Sequence, residues 1–523
     1  MATATLLRHP SWAFYRNSSK LGFPAFASFS TTRQLATDHN IAIVGGGAAG
    51  LYTASRILSK SPTTRIDIFE QLPTPQGLVR YGVAPDHPEV KNCTTKFNQV
   101  LQNPQVQFYG NIPVGTESDH GCSVPLERLR SVYGGVVLAY GASRDRKLGI
   151  EGEDGCGGRV GVVSARLFVA WYNGLPEAQD VQVDLESFDR VVIVGHGNVA
   201  LDCARILLTD PNDLARTDIT ERAVAALRKS NVRHVEMVGR RGPLQVSFTT
   251  KELREMTKIL GLELICDRRL LESECGGEEG RRVLEASRPL KRMMDLLLKH
   301  SVDPNSPKPI NENELGAGGV KGNKTFTLRF LLSPLRVLYS QVEEGLKPPQ
   351  VMQFAVNRLS GPPESARAEA TSEKVDIACC MALRSIGYAS TPLVGAPFDH
   401  KRNIVPNIAG RVTVDQNDRN DLVPGLYVSG WVKRGPVGVI ATTMQDAYRT
   451  ADVVLMDMRD GNIGTGCRAD IDNTLRSLGV DACRVSTEGW LRLEAYEAAR
   501  GEKAGKPREK VTSVEEMLNI IHQ

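Results

Sequence analysis

Two glycine-rich loops, each lying between a short apolar strand and a helical pattern, predict an α/β fold with two Rossmann-like dinucleotide-binding domains. The chain has 523 residues, which is too many for one ordinary core and suggests more than one domain. A third glycine-rich segment near residue 430 follows another apolar strand, and we expect it to complete the first site. The prediction is therefore a discontinuous first domain with the second domain inserted into it.

The first loop follows the apolar segment Asn40–Val44 and has the spacing Gly45-x-Gly47-x-x-Gly50. Gly45 permits a tight turn, Gly47 lets the backbone approach a pyrophosphate, and Gly50 lets helix and strand pack closely. The next predicted strand ends in Glu70, whose carboxylate suits a ribose diol. These features predict an adenine-dinucleotide site; the alternative is an ordinary glycine-rich turn.

The second loop contains Gly195 and Gly197, with Ala200 at the third position, where only a small side chain is needed. The following strand runs out into Arg240 and Arg241, where such folds usually place an acidic residue. Two guanidinium groups bind a phosphate dianion, whereas a carboxylate would repel it. The pair therefore predicts NADP(H); the alternative is an arginine pair on a surface loop.

A dinucleotide without a 2′-phosphate beside NADP(H) favours FAD as the first cofactor. In the third segment we predict a strand from Gly425 to Val428 and a helix from Val439 to Ala447, whose N-terminus would face an electron-rich ligand edge. Trp431 is expected to lie against a ring of the cofactor. The alternative for Trp431 is an ordinary core aromatic.

Composition excludes some classes of protein and indicates a cellular compartment. No run of 18 apolar residues predicts a transmembrane helix, and the net charge of +4 is too mild to indicate nucleic-acid binding. Residues 1–37 contain basic, Ser, Thr and Ala residues but no Asp or Glu, which predicts a mitochondrial transit peptide rather than a disordered tail. The ten cysteines form no C-x-x-C pair, so we expect reduced thiols and no metal site.

Six long stretches resemble one family. They are GLVRYGVAPDHPEVKN (77–92), GNVALDCARILLTDP (197–211), RTDIT (216–220), VGRRGPLQVSFTTKELREM (238–256), GLYVSGWVKRGPVGVIATTM (425–444) and GKPREK (505–510). The chain resembles the mitochondrial adrenodoxin reductase family of NADPH–ferredoxin oxidoreductases, within the glutathione-reductase-like flavoprotein superfamily. The resemblance covers nearly everything from about residue 40 onward.

The resemblance implies three sets of site residues. The FAD contacts that it implies are Ala49, Glu70, Leu78, Val114, Trp431, Gly438, Val439 and Ile440. The NADP(H) contacts that it implies are His196, Gly197, Asn198, Val199, Arg240, Arg241, Glu252 and Gly438. The polar residues that it places near the redox centre are His87, Asp202 and Glu252, for which structural hydrogen bonding is the alternative role.

A further set of residues concerns a protein partner. The family uses basic residues at Arg254, Arg288 and Arg292 to dock an acidic ferredoxin, whereas a solvated helix face is the alternative. This chain departs from the family with His196 for Gln, Leu290 for a basic residue and Val437 for Thr, besides Ala48 for Pro. Gln and neutral His both form hydrogen bonds, but His can also become charged, and a charged His196 would tighten NADP(H) binding at lower pH. The sequence leaves the effect of His196 open.

The implied function is hydride transfer from NADPH to FAD, then single-electron transfer to a mitochondrial [2Fe–2S] ferredoxin that supplies P450 or iron–sulfur cluster pathways. The alternatives are an NADPH-dependent flavoenzyme acting on a small molecule and a non-catalytic, nucleotide-sensing flavoprotein. The expected location is the mitochondrial matrix, with peripheral association with the inner membrane as a further expectation. The predicted layout is a transit peptide (1–37), an FAD domain in two parts (38–145 and 390–523) and an inserted NADP domain (146–389), with a surface loop over 300–324.

Overall fold

The structure is a computed structural model that describes residues 39–115, 122–156, 160–303, 324–339, 350–414 and 421–523. Residues 37–523 form one compact unit. The predicted transit peptide and most of the predicted loop at 300–324 lie outside the described residues. Within the described ranges, no helix is both long and apolar enough to cross a membrane.

The first sheet has seven strands drawn from both ends of the chain, which confirms the predicted fold class of a discontinuous first domain. Five strands run parallel, and two short antiparallel strands extend one edge. Their spatial order is Asn407–Ile408, Arg411–Thr413, Leu422–Val428, Gly135–Leu138, Asn40–Val44, Arg65–Phe69 and Val106–Tyr109.

Helices cover this sheet and continue to the C-terminus. The helix after the first glycine loop packs against the long helix after the third glycine-rich segment. The helices are Ala48–Lys60, Leu78–Tyr81, Cys93–Leu101, Leu126–Val132, Trp431–Arg434, Ile440–Asp460, Arg468–Ser477, Val480–Cys483, Thr487–Lys503 and Val514–His522, with a 3₁₀ turn at Pro88–Asn92.

The second sheet also has seven strands, and all its pairings are parallel. Its strand order is Ser301–Val302, Leu262–Cys266, Lys324–Arg329, His234–Val238, Arg190–Val194, Met381–Arg384 and Val163–Ser164. A buried apolar core lies between it and its helices, as expected for a parallel sheet. An antiparallel sheet is attached: Leu332–Leu338, Gln350–Ser360 and Arg367–Cys379.

The helices that pack with the second sheet lie between its strands along the chain, singly or in groups of three. They are Ala165–Tyr172, Asn198–Leu208, Pro211–Leu214, Glu221–Arg228, Thr250–Met256, Arg268–Gly276, Glu278–Ala286 and Arg288–His300, with 3₁₀ turns at Pro176–Ala178, Pro243–Gln245 and Pro363–Ser365.

The two segments that connect the sheets pair with each other. Arg144–Asp145 and Tyr388–Ala389 form a two-stranded antiparallel ribbon. The predicted domain boundaries at 145/146 and 389/390 fall at this ribbon, and we retain them as a proposal.

The expectation that all cysteines are reduced thiols is wrong for one pair, because Cys122 and Cys483 form a disulfide. The two residues are 361 positions apart, so no local spacing in the sequence indicates the bond. Cys122 belongs to the apolar core of the first sheet, and Cys483 ends the short helix Val480–Cys483. The other eight cysteines are free.

Candidate functional site

The first glycine loop has a backbone that only glycine fits at two positions. Gly45 has φ +111°, and a Cβ there would lie 2.6 Å from the carbonyl oxygen of Ala139. A Cβ on Gly50 would lie 2.1 Å from the carbonyl oxygen of Gly45. A Cβ on Gly47, in contrast, would meet no protein atom within 4 Å. Gly47 therefore faces open space, where its small size serves a ligand that approaches the backbone.

Three helices, two beside the first sheet and one beside the second, begin in a way that suits the binding of an anion. They are Ala48–Lys60, Asn198–Leu208 and Ile440–Asp460. None has a side-chain N-cap, and none has an acidic residue in its first turn. Their first N–H groups and the positive end of each helix dipole thus remain available to phosphates or an electron-rich ring edge.

Glu70 ends its strand beside the first loop, as predicted. Its Oε2 accepts a hydrogen bond from the backbone N–H of Gly46 at 2.8 Å, and its Oε1 accepts one from Leu72 at 3.1 Å. Burial raises the pKa of Glu70 to about 7, although the backbone N–H donors oppose this shift. Each oxygen keeps a second lone pair, so the carboxylate fits the ribose diol of the first dinucleotide.

The third glycine-rich segment packs directly on the first loop. The hydroxyls of Thr53 and Ser429 lie 3.2 Å apart, and a Cβ on Gly430 would lie 2.5 Å from the Cβ of Ala49. This close approach brings Trp431 beside the glycine loop Gly45–Gly50, which we call the first cradle. The indole Nε1 of Trp431 is buried without a hydrogen-bond partner among the described residues, so this polar group fits a cofactor.

The Trp431 ring also contacts Tyr388, with a 5.3 Å centroid separation. Sequence reasoning did not identify Tyr388, since it lies far away in the chain, on the ribbon between the two sheets. The predicted strand at 425–428 is confirmed within Leu422–Val428, and the predicted helix at 439–447 is the start of Ile440–Asp460.

Gly438 lies in a turn that requires glycine. It has φ +86°, and a Cβ would lie 2.4 Å from the Thr442 hydroxyl. Arg434 donates to the carbonyl oxygen of Val437 and, at 3.1 Å, to the Thr443 hydroxyl. The side chains on both sides of Gly438 are exposed, 68% for Val437 and 57% for Val439. An apolar Val437 offers no side-chain hydrogen bond at this place, unlike the Thr of the family pattern.

Leu78 and Val114 differ in their surroundings. Leu78 is 38% exposed and follows Gly77, whose Cβ would lie 3.3 Å from the Cα of Gly47. Val114 is buried in the core of the first sheet and bridges to Val124. Their contacts with FAD stay predictions.

The second glycine loop is joined to the segment that follows the arginine pair. The Ser247 hydroxyl donates to the carbonyl oxygen of His196 at 2.6 Å, and the Asn198 side chain accepts from the Thr249 N–H at 2.8 Å. Gly195 has φ +128°, and a Cβ would lie 2.2 Å from the Ser385 carbonyl oxygen. The loop and this segment therefore form one cradle.

Arg240 and Arg241 follow the strand His234–Val238 at the open edge of this cradle. The Asn357 side chain donates to the Arg240 carbonyl oxygen at 2.8 Å, and the Leu331 N–H donates to that of Arg241 at 3.2 Å. Within the part of the chain that the structure describes, neither guanidinium has a hydrogen-bond or ion-pair partner. Two available guanidinium groups fit a 2′-phosphate.

The structure favours a neutral His196 over a charged one. Its Nε2 lies 3.1 Å from the carbonyl oxygen of Met237, and its ring packs edge-on against Phe330 at 5.0 Å. Burial lowers the pKa of His196 to about 4, so the imidazole is neutral at physiological pH. A neutral His196 hydrogen-bonds much as the family's Gln would.

His87, Asp202 and Glu252 are brought together, as the resemblance implied, by an arginine that sequence reasoning missed. Arg205 is buried and donates to Asp202 at 2.7 Å and to Glu252 at 3.2 Å. His87 Nδ1 lies 3.9 Å from Glu252 Oε2. The available signal was a charged residue three positions after Asp202 in an otherwise largely apolar helix.

Arg205 also binds Asp86, which comes from the first half of the chain. Burial raises the pKa of Asp202 to about 6 against the opposing effect of Arg205, and burial also raises the pKa of Glu252. Asp202 can therefore hold or release a proton near neutral pH, and Glu252 holds its proton more tightly than an ordinary glutamic acid does. The guanidinium beside the three donors opposes a metal ion in the same place.

The predicted docking residues are exposed and lie on two helices that pack against each other. Arg254 belongs to Thr250–Met256, while Arg288 and Arg292 belong to Arg288–His300. The Thr250 hydroxyl donates to the Pro289 carbonyl oxygen at 3.2 Å and joins the two helices. None of these arginines forms an ion pair with a residue that the structure describes.

The fold and the two cradles define an oxidoreductase with two nucleotide sites. Residues 39–269 match the pyridine nucleotide-disulphide oxidoreductase family model. The mitochondrial NADPH:adrenodoxin oxidoreductase of Homo sapiens is 45% identical over 95% of this chain and 94% of that protein. The Arabidopsis thaliana protein of the same name is 38% identical over 92% and 94%.

Among solved structures, the Mycobacterium tuberculosis FprA complex with NADPH has a TM-score of 0.79, at 34% identity, and covers 93% of this chain and 100% of that one. The chain therefore belongs to the NADPH:adrenodoxin oxidoreductase family. The predicted family, fold class and cofactors, FAD and NADP(H), are confirmed.

The first prediction tests the FAD cradle without disturbing the protein around it. Gly47→Ala adds a Cβ that meets no protein atom but that occupies the ligand's approach to the backbone. We expect a folded enzyme with a much lower flavin content, measured as absorbance at visible wavelengths per protein. Gly276→Ala, also in open space, is the control. Equal flavin content in the two variants would contradict the assignment.

The second prediction concerns the neutral state of His196. Because its pKa is near 4, the ratio of NADP⁺ dissociation constants between the wild type and His196→Gln should stay constant from pH 8 to pH 6. Calorimetric titration at several pH values measures the ratio, which cancels titration of the 2′-phosphate itself. A ratio that shifts in favour of the wild type as pH falls would show a charged imidazole.

Proposed function

We propose that this enzyme transfers electrons from NADPH through FAD to a small acidic [2Fe–2S] ferredoxin. FAD, when bound, accepts a hydride and releases electrons one at a time. The proposal rests on the helix Thr250–Met256, because this helix connects a buried charged cluster to an exposed basic surface. Its Glu252 joins the buried cluster with His87 and Asp202, whereas its Arg254 lies on the exposed basic surface.

The buried cluster of Arg205, Asp202, Glu252 and His87 holds its carboxyl groups in place and can donate or accept protons. Arg205 holds Asp202 and Glu252 in fixed places, and a guanidinium is charged throughout the physiological range. The raised pKa values of both carboxyl groups make them suitable for proton exchange as the charge of a bound cofactor changes. Hydride transfer needs no acid or base, so their loss should slow the reaction without abolishing it.

The absence of a redox-active thiol pair supports a one-electron acceptor over a disulfide substrate. Disulfide reductases of related fold carry two electrons onward through paired cysteines. The chain has no C-x-x-C pair, and the Cys122–Cys483 bond belongs to the core and to a short peripheral helix. The names of the relatives, which specify adrenodoxin, agree with this choice.

The relatives are named mitochondrial, and we propose the same compartment for this enzyme. The composition of residues 1–37 supports import. We further propose a matrix location with peripheral association with the inner membrane, near P450 or iron–sulfur cluster pathways that use ferredoxins. Carbonate extraction of purified mitochondria tests this point. A purely matrix enzyme is in the soluble fraction before carbonate is added, whereas a peripherally associated enzyme becomes soluble only after it is added.

The third prediction concerns the choice of nucleotide. Arg240→Ala and Arg241→Ala should each lower kcat/KM for NADPH about tenfold to a hundredfold, the loss expected when a charged hydrogen bond is removed. NADH lacks the 2′-phosphate, so its weak turnover should be unchanged. Ferricyanide reduction with each nucleotide measures both values. A parallel loss for NADH would mean that the arginines maintain the loop instead of binding the phosphate.

The fourth prediction concerns the docking surface formed by Arg254, Arg288 and Arg292. The double change Arg288→Ala and Arg292→Ala should raise KM for ferredoxin about tenfold at low ionic strength and flatten its salt dependence. Cytochrome c reduction with added ferredoxin measures this effect, and NADPH–ferricyanide turnover should be unaffected. Arg269→Ala, which removes an exposed arginine from a different helix, is the control.

Two results would favour the alternative functions. Rapid NADPH oxidation by a small molecule, without faster cytochrome c reduction when ferredoxin is added, would indicate a small-molecule flavoenzyme. Binding of both nucleotides with slow turnover toward every acceptor would indicate a nucleotide-sensing protein.

A further inference from the structure

Charged residues from three of the sequence motifs meet at one place. Lys91 comes from GLVRYGVAPDHPEVKN, Asp218 from RTDIT, and Arg508 and Lys510 from GKPREK. Together with Arg80 they line a small cavity of about 50 Å³. The cavity adjoins the first glycine loop, because its lining includes Gln76, whose N–H donates to the carbonyl oxygen of Gly46 at 2.8 Å. None of its charged lining residues is among the predicted nucleotide contacts.

One carboxylate is shared between the two lysines of this cavity. Lys91 Nζ lies 2.6 Å from Asp218 Oδ1, and Lys510 Nζ lies 3.2 Å from Asp218 Oδ2. Lys510 also donates to the Asn173 side chain at 3.4 Å. These two lysines hold the pKa of Asp218 well below its usual range. Asp218 is therefore an anion whose charge is already engaged.

Arg80 contributes unsatisfied donors. Its side chain is 2% exposed, and its Nη2 donates to both carboxylate oxygens of Glu497, at 2.6 and 2.8 Å. The guanidinium also lies against the rings of Tyr81 and Trp490. Its Nε and Nη1 are nevertheless buried with no hydrogen-bond partner in the described structure. Buried guanidinium donors without an acceptor are costly and point to a ligand.

The charges around the cavity do not balance. Four cations, Arg80, Lys91, Arg508 and Lys510, face three carboxylates. The third carboxylate, Glu494, lies 3.5 Å from Arg508 and accepts from the Asn98 side chain at 2.8 Å. Repulsion from Arg80 and Lys91, added to the dominant effect of burial, lowers the pKa of Lys510 to about 7 despite the attraction of Asp218. One positive charge is thus in surplus when Lys510 is protonated.

We propose that this cavity binds a small inorganic anion, with chloride as the candidate to test. Lys91 and Arg508 are partly exposed and provide the entrance. The anion would join residues of the N-terminal, central and C-terminal parts of the chain, and so stabilise their packing.

Binding should depend on pH through Lys510, whose charged and polar neighbours are Asp218, Asn173, Lys91 and Arg80. Protonated Lys510 adds a cation to the cavity, and the bound anion in turn favours that protonated form. Chloride should therefore bind more tightly at pH 6 than at pH 8.

The test uses the FAD-loaded enzyme and follows its thermal midpoint at constant ionic strength while chloride replaces gluconate. We expect a saturable rise of about 2 °C at pH 6, as for a ligand that binds only the folded state, and a smaller rise at pH 8. Crystals soaked in bromide should show an anomalous peak between Arg80, Lys91 and Lys510. A linear, non-saturating response without a bromide peak overturns the proposal, and saturation by inorganic phosphate alone overturns the choice of chloride.

Charge variants provide a test in both directions. Arg508→Gln removes the surplus cation and should raise the half-saturating chloride concentration at least about fivefold. Glu494→Gln adds to the surplus and should lower that concentration. Arg500→Gln removes an exposed cation that lines no part of the cavity and should change nothing. NADPH–ferricyanide turnover should persist in all three, and identical chloride titrations of the three variants overturn the proposal.

Discussion

The arrangement of the two halves depends on the buried guanidinium of Arg205. It lies on the helix of the second glycine loop, yet it binds Asp86 from the segment after the first cradle as well as Asp202 and Glu252 from its own side. Without that cation, three carboxylates would face one another in a poorly solvated space, where like charges repel strongly. The same ion network therefore joins the two halves and partly offsets burial, which raises the pKa of Asp202 and that of Glu252.

Close backbone approaches give the second constraint, since they bring distant segments to the same cofactor. Gly430 packs on Ala49, and Gly195 packs on the Ser385 carbonyl, so the C-terminal region completes the first cradle and the strand Met381–Arg384 completes the second. A methyl group at either glycine would push these segments apart. Both approaches occur at the carboxyl ends of parallel strands, where helix N-termini also converge, and this convergence explains why both nucleotide sites lie at such edges.

Patterns within short windows of the sequence were sufficient to predict much of this structure. The strand before Glu70 and the helical face that carries Arg288 and Arg292 were expected from the sequence, because their signals lie within one short window. The Arg205–Asp86 contact and the Cys122–Cys483 bond were missed because they join residues 119 and 361 positions apart. The protonation state of His196 could not be predicted for a different reason. Sequence identifies a titratable ring, but its pKa depends on burial between the ends of strands and against Phe330.

The helix Thr250–Met256 shows how a short element joins the buried and exposed chemistry. The Thr249 hydroxyl caps it by accepting from the Glu252 N–H, and the Thr249 N–H in turn donates to Asn198 in the second glycine loop. The start of the helix is thus fixed to the NADP(H) cradle. Two residues apart on a helix point in different directions, so Glu252 faces the Arg205 network while Arg254 faces solvent. If a partner docks on the basic residues as proposed, this helix holds it at a defined position relative to the cofactors, which is what electron transfer between two proteins requires.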